Sequence, residues 1–191
     1  MALISNGTTV ASGGSLSVSA SPPSDLILIS TQTTGSAAAV DFTSLDNTYN
    51  MYMVTFQNIQ FASTNQTFIM RISDDNGSTF KSSNYLSVMD QSYYNGGTVG
   101  NTNYASTNYH YISNEVSNAS DDRSCFGYIY FNTPATSKRQ SFFGHTAIKN
   151  SGGYVLNNKT STVYNVNQTF NAIRFLGSSN FAGTFKLYGY N

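Results

Sequence analysis

Cys125 and His145 are the nominal nucleophile and base of this chain, and together they would support thiol attack with an imidazole taking the proton. Their surroundings argue against that chemistry. On strand alternation Cys125 falls in line with Gly127, Ile129 and Phe131, the setting of a buried small hydrophobe. His145 falls in line with Phe143 and Ala147, with no motif around it, and His110 between Tyr109 and Tyr111 is expected in a loop or at a strand edge. No Gly-x-Ser-x-Gly elbow occurs, and two histidines without a His-x-x-x-His spacing do not make a transition-metal site. The reading is of a non-enzymatic protein with no catalytic residue, no cofactor and no metal.

The stretch Ser73-Asp74-Asp75-Asn76-Gly77-Ser78-Thr79-Phe80 resembles an Asp-box, Ser-x-Asp-x-Gly-x-Thr-aromatic. Here an Asp carboxylate accepts backbone N–H bonds, glycine supplies a positive φ and the aromatic packs beneath. Asp-boxes recur in sialidase propellers, where they are repeated and lie away from catalysis. A single copy without propeller spacing predicts a stable hairpin. An EF-hand loop fails because Tyr85 stands where the bidentate Glu belongs. A casual cation at Asp74, Asp75, Asp121 or Asp122 is the weaker alternative.

Tyr85, Tyr93, Tyr94, Tyr104, Tyr109 and Tyr111 crowd into one third of the chain. Tyrosine offers an apolar face with a polar tip, useful in protein interfaces and in sugar binding alike. With no Trp in the chain, interface packing or ordinary strand composition is favoured over a glycan site. Ser92 to Tyr111 is polar and aromatic without a core-forming period, which predicts a long loop, functional or else disordered. Tyr93, Tyr94, Tyr104, Tyr109 and Tyr111 are therefore the candidate contact residues of the domain.

The elements that must position these residues read as strands. Apolar positions alternate with period two through Ser36–Phe42, Met51–Gln60, 67–72, Tyr109–Ile112, Arg123–Asn132, Gln140–Ile148, Thr169–Leu176 and Thr184–Tyr190. Leu26-Ile27-Leu28-Ile29 is a continuous run, expected to be buried on both faces. Tyr52, Val54 and Phe56 should share one face. Asn95-Gly96-Gly97 and Ser151-Gly152-Gly153 mark turns, and no window carries a capped helical stripe. The expected fold is all-β, an antiparallel β-sandwich of jelly-roll type over residues 25–191.

Residues 1–24 read as a separate N-terminal arm. They are dominated by Gly, Ser, Thr and Ala and close at Pro22-Pro23-Ser24, where two prolines favour an extended link. Leu3, Ile4, Val10 and Leu16 are scattered along it as anchors for a partner surface, the alternative being a disordered tail.

Composition narrows the class of function. Only 9% of the 191 residues are charged, with nine basic against nine acidic residues, where ordinary soluble domains carry roughly 25%. Such a balance removes the basic footprint of a nucleic-acid binder. No apolar run approaches the ~20 residues that span a bilayer. Neither a signal peptide nor a second cysteine to pair with Cys125 is visible, so synthesis in a reducing cytoplasm is expected.

The phrases Pro23-Ser24-Asp25-Leu26-Ile27-Leu28-Ile29-Ser30-Thr31-Gln32-Thr33, Ala39-Val40-Asp41-Phe42 and Asp46-Asn47-Thr48-Tyr49-Asn50-Met51-Tyr52-Met53-Val54-Thr55-Phe56-Gln57-Asn58-Ile59 recur in one kind of domain, as do the Asp-box stretch, Asn171-Ala172-Ile173-Arg174-Phe175 and Gly183-Thr184-Phe185-Lys186-Leu187-Tyr188-Gly189. Over residues 23–191 the chain resembles a β-sandwich module of tailed-phage virion proteins, found on the heads, tails and fibres of aquatic phages. The resemblance implies a structural protein of the virion, made in the host cytoplasm. With a short arm and no shaft repeats, the expectation is a capsid decoration or cement protein. Its partner is then the major capsid protein, and a homo-oligomer, including a trimer at a capsid symmetry axis, suits the low-charge surface. The alternative is a tail- or fibre-associated module that recognises a cell-surface glycan through the tyrosines of 93–111. Nucleic acid and membrane are not expected partners.

Overall fold

The computed structural model describes residues 3–5, 8–12, 15–16, 26–118, 125–134 and 137–191, with side chains described from residue 26 onward. Every regular element among them is a β-strand. Three short ones, β1 (Leu3–Ser5), β2 (Thr8–Ser12) and β3 (Ser15–Leu16), pair with one another, Ile4 opposite Thr9 and Ala11 opposite Leu16. The rest are β4 (Ile27–Phe42), β5 (Met51–Phe61), β6 (Gln66–Ser73), β7 (Tyr85–Asn95), β8 (Thr98–Ser106), β9 (His110–Val116), β10 (Cys125–Asn132), β11 (Lys138–Lys149), β12 (Val155–Gln168) and β13 (Ala172–Tyr190).

These form one ten-stranded antiparallel sheet in the order β8-β7-β12-β11-β10-β5-β13-β6-β9, with β4 also on β13. The chain is all-β and antiparallel, as the sequence predicts, and the sheet curls until it nearly closes into a barrel. The curl originates in β13. Ala172–Leu176 pair with β6, whereas Phe181–Tyr190 pair with β5, and β4 follows both halves. Register slips between Leu176 and Gly183 mark the change of partner. Gly177 sits at this bend because a Cβ there would run into the ring of Phe61.

Three sequence expectations are corrected, and a strand that the apolar period did not announce is added. First, 26–42 and 172–190 are one strand each rather than two, because β4 and β13 pair along their length and neither Gly35 nor the Ser-Ser-Asn stretch interrupts them. Second, Leu26, Leu28 and Ile29 are exposed rather than buried on both faces, since β4 is an outer strand with β13 as its strand partner. Third, 92–111 is not a long loop. It holds the end of β7, all of β8 and the start of β9, and Gly96-Gly97 close the β7–β8 hairpin with φ of 54° and 99°, the positive pair a two-residue primed turn requires. The added strand, β12, escapes the apolar period because its inward positions between Leu156 and Tyr164 are Asn158, Thr160 and Thr162.

The core is aromatic. Phe56, Phe61, Phe68, Phe175, Phe181 and Phe185 interlock with ring centroids 5.2–6.4 Å apart. Tyr52, Phe131, Phe142 and Phe170 continue them. Tyr52, Val54 and Phe56 share the buried face of β5 as predicted. Each such ring contributes about 1.5–3 kcal/mol by leaving water.

Candidate functional site

β9 is where the barrel comes close to closing, and polar side chains close it. Its partner in the sheet is β6, and its inner face lies over β7, β11 and β12. The Tyr111 N–H donates to Ser87 Oγ (3.1 Å) and the Thr146 hydroxyl donates to the Ile112 carbonyl (3.0 Å). Side chains here do for backbone groups what a neighbouring strand would otherwise do. Thr162 donates to Ser87 (2.7 Å), and Asn158 donates to Ser113 and accepts from Gln91, both at 2.9 Å.

His110 is part of this seam, the first residue of β9 at the end of the sheet order, in keeping with the strand-edge expectation, and fully buried there. Its Nδ1 lies 2.6 Å from Thr162 Oγ1 and its Nε2 3.4 Å from Thr160 Oγ1. Burial pushes its pKa down to about 3, so the ring is neutral and structural at ordinary pH. Cys125 is also buried, which pushes its thiol up and out of the nucleophilic range. His145 stands on the opposite face of the sheet, close against Asn157 Oδ1. The structure therefore does not bring the nominal nucleophile and base together.

Asp75 organises the 73–80 loop by accepting from Ser73 Oγ (2.6 Å), Thr79 N (2.8 Å) and Thr79 Oγ1 (2.6 Å), bonds that hold its carboxyl well below the usual range. Gly77 has φ of 90°, its N–H donates to Ser73 Oγ, and Phe80 packs near it. The Asp-box chemistry is present, but β6 and β7 are not neighbours in the sheet, so the loop joins two separate strands rather than forming a hairpin. Asp74 pairs with Lys81 at 2.6 Å. Asp121 and Asp122 lie outside the described residues.

The candidate tyrosines divide into two groups. Tyr104, Tyr109 and Tyr111 form one cluster, with Tyr109 and Tyr111 ring centroids 5.0 Å apart and Tyr104 to Tyr111 6.0 Å. Tyr109 donates to the Tyr111 oxygen, and burial, with that bond, raises the Tyr111 pKa to about 12. Tyr93 lies toward the other end of the β7–β8 hairpin, its ring over Gly100 and stacked on Tyr154. Of the five, Tyr94 is exposed and the others are half-buried. Leu3 and Ile4 in β1, Val10 in β2 and Leu16 in β3 have side chains that lie outside the described residues.

The surface that sequence reasoning missed is the outer face of the sheet. Register places Ala105, Val88, Ser161, Phe143, Tyr130, Met53, Tyr188 and Leu28 side by side, one per strand from β8 to β4. Leu86 and Val163 extend the apolar area beside this row. Leu86, Val88 and Phe143 are 55%, 56% and 52% exposed, and Phe143 stacks on Tyr130 with centroids 5.1 Å apart. Beside the stack runs a groove of about 410 Å³ lined by Leu86, Val88, Ser141, Phe143, Ser161 and Val163.

The next row, Asp90-Lys159-His145-Tyr128-Thr55-Lys186, carries the charges of this face. Beyond it, Phe126, Tyr128, Ala147, His145 and Asn157 surround a notch of about 310 Å³. A signal was present in the sequence. The run Cys125-Phe126-Gly127-Tyr128-Ile129-Tyr130-Phe131 is apolar or aromatic on both faces of β10, and only one face can be core. Neither a protein-family model nor a curated protein sequence matches this chain.

Proposed function

We propose that this protein is a non-enzymatic structural protein of a tailed-phage virion, a capsid decoration or cement protein. The observation that carries the reading is the apolar patch on the outer face, which leaves Leu86, Val88 and Phe143 half exposed side by side. A contiguous apolar face of this kind marks a surface that another protein covers. The charge-poor composition suits such packing. The bent β4 and β13, each serving two parts of the sheet, support a β-sandwich of jelly-roll type in which one half covers the other.

In this reading residues 1–24 attach to the major capsid protein through Leu3, Ile4, Val10 and Leu16, and the domain from 25 onward is displayed on the shell as a homo-oligomer. The test uses the full chain carrying Leu3→Ser, Ile4→Ser, Val10→Ser and Leu16→Ser with purified capsids. Loss of saturable binding by a folded variant is expected. A variant that still saturates the capsids overturns the arm as the anchor.

A second reading, a tail- or fibre-associated module for a cell-surface glycan, is favoured by the notch at Phe126 and Tyr128. Exposed rings there stand beside the polar His145 and Asn157, the combination a sugar ring uses. Saturable binding on a glycan array, lost in Phe126→Ala but retained in Tyr104→Ala, would favour it over the decoration reading. Silence on every array speaks against it.

A further inference from the structure

We propose that the outer row from Ala105 to Tyr130 is a self-association face, covered in solution by the same face of a second copy of this chain. The inference rests on the reading of the protein as an assembly module and adds the face through which its copies meet.

Three observations select a copy of the chain. The first is shape. The half-exposed Phe143 ring, backed by its stacking on Tyr130, is a ridge along one wall of the groove lined by Leu86, Val88, Ser161 and Val163. Ridge and groove lie side by side, so a two-fold axis between them seats each copy's ridge in the other's groove. That reciprocity is what an isologous contact requires.

The second is charge. Neither the row nor Leu86, Val163 and Ser141 beside it contains a charged residue. In the flanking row Asp90 lies opposite Lys159, and the chain as a whole balances nine charges of each sign. Apposing this face with itself therefore brings no block of like charge together. Its Phe143 and Tyr130 are also of the aromatic types enriched at protein interfaces.

The third is area. From β8 to β10 the row crosses four strand spacings of about 4.8 Å, or about 19 Å. Three adjacent rows make it roughly 20 Å deep, so the projection is about 400 Å² before side-chain relief is added, the size of a weak, reversible contact rather than the roughly 800 Å² per partner of a stable complex.

Sedimentation velocity and equilibrium on the full chain, from micromolar to millimolar, test this. A concentration-dependent dimer is expected. Val88→Lys combined with Phe143→Lys is expected to weaken it about 30-fold or more, as loss of an interface hot spot does, with an unchanged far-ultraviolet circular dichroism spectrum. Should the double variant fail to fold, Ser161→Arg decides, because Ser161 is an exposed polar residue in the middle of the row; it is expected to be monomeric.

A folded variant that dimerises like the parent overturns the proposal. So does a parent chain that stays monomeric throughout. If that monomer binds purified capsids and Val88→Lys with Phe143→Lys abolishes the binding, the face belongs to the shell protein and the assembly reading stands. If the monomer binds no capsid either, both fall.

Discussion

His110 Nδ1 and Thr162 Oγ1 lie 2.6 Å apart and join β9 to β12, two strands that share no backbone ladder. From Thr162 the chain of contacts passes to Ser87 and on to the Tyr111 N–H, so one run of hydroxyls ties β9 to the facing strands. A polar network sealed in the interior rigidifies the fold when every member is satisfied and is costly when one is missing.

Stability is expected to fall as pH drops below about 6.5, the ordinary histidine value, toward about 3. The sign follows from the direction of the shift. The folded pKa is depressed, so between those values the unfolded chain takes up a proton that the folded chain refuses, and acid favours unfolding. The slope contributed is at most about 1.4 kcal/mol per pH unit. Denaturant midpoints between pH 5 and pH 6.5, where few carboxylates titrate, should show this slope in the parent and lose it in His110→Gln. An identical slope in both chains would show that another group is responsible.

Ser87→Ala leaves the part-buried Tyr111 N–H without its acceptor. The expected cost is about 1 kcal/mol, that of a hydrogen bond lost where water has partial access. Hydrogen exchange should quicken at Tyr111 more than at β5 amides such as Val54. A uniform change across both strands would point to general loosening rather than loss of this closure.

Gly177→Ala places a methyl group where the ring of Phe61 already stands. Phe61 is buried against Phe68 and Phe181, so it cannot swing toward solvent. A loss of about 1–3 kcal/mol is expected from overpacking at the bend of β13, read as a lower urea midpoint. Gly35→Ala, which meets no atom within 4 Å, is the control and should change little. Equal losses in the two variants would deny Gly177 its special place.

Cys125 should resist thiol reagents in the native protein and react fully once urea passes the unfolding transition, since burial both shields the sulfur and raises its pKa. Labelling followed by mass spectrometry measures this directly. Rapid native labelling would mean that β10 opens locally well below the global transition.

Much of the strand content was legible because burial imposes period two. Tyr52, Val54 and Phe56, or Phe68, Met70 and Ile72, can alternate only if one face is core. The same logic failed at β12, whose inward Asn158, Thr160 and Thr162 look like loop residues until β9 is placed over them. It failed also at β8, where Gly100, Asn101, Thr102 and Asn103 pair through backbone with no apolar side chain to announce it. The burial of His110 was hidden for a related reason. A histidine between two tyrosines carries no sign of whether a threonine from a distant strand will receive it.

The candidate surface divides along the same line. Local chemistry by itself determined that the Asp75 loop would organise its own backbone and that Cys125 would be core. These are contacts within a few residues or preferences of one side chain for water. Only the tertiary structure decided that Val88, Phe143, Tyr130 and Leu28, far apart in the chain, form a single row. The reason is physical: cross-strand register depends on the hydrogen-bond pairing of every strand between them. No one strand's pattern contains that information.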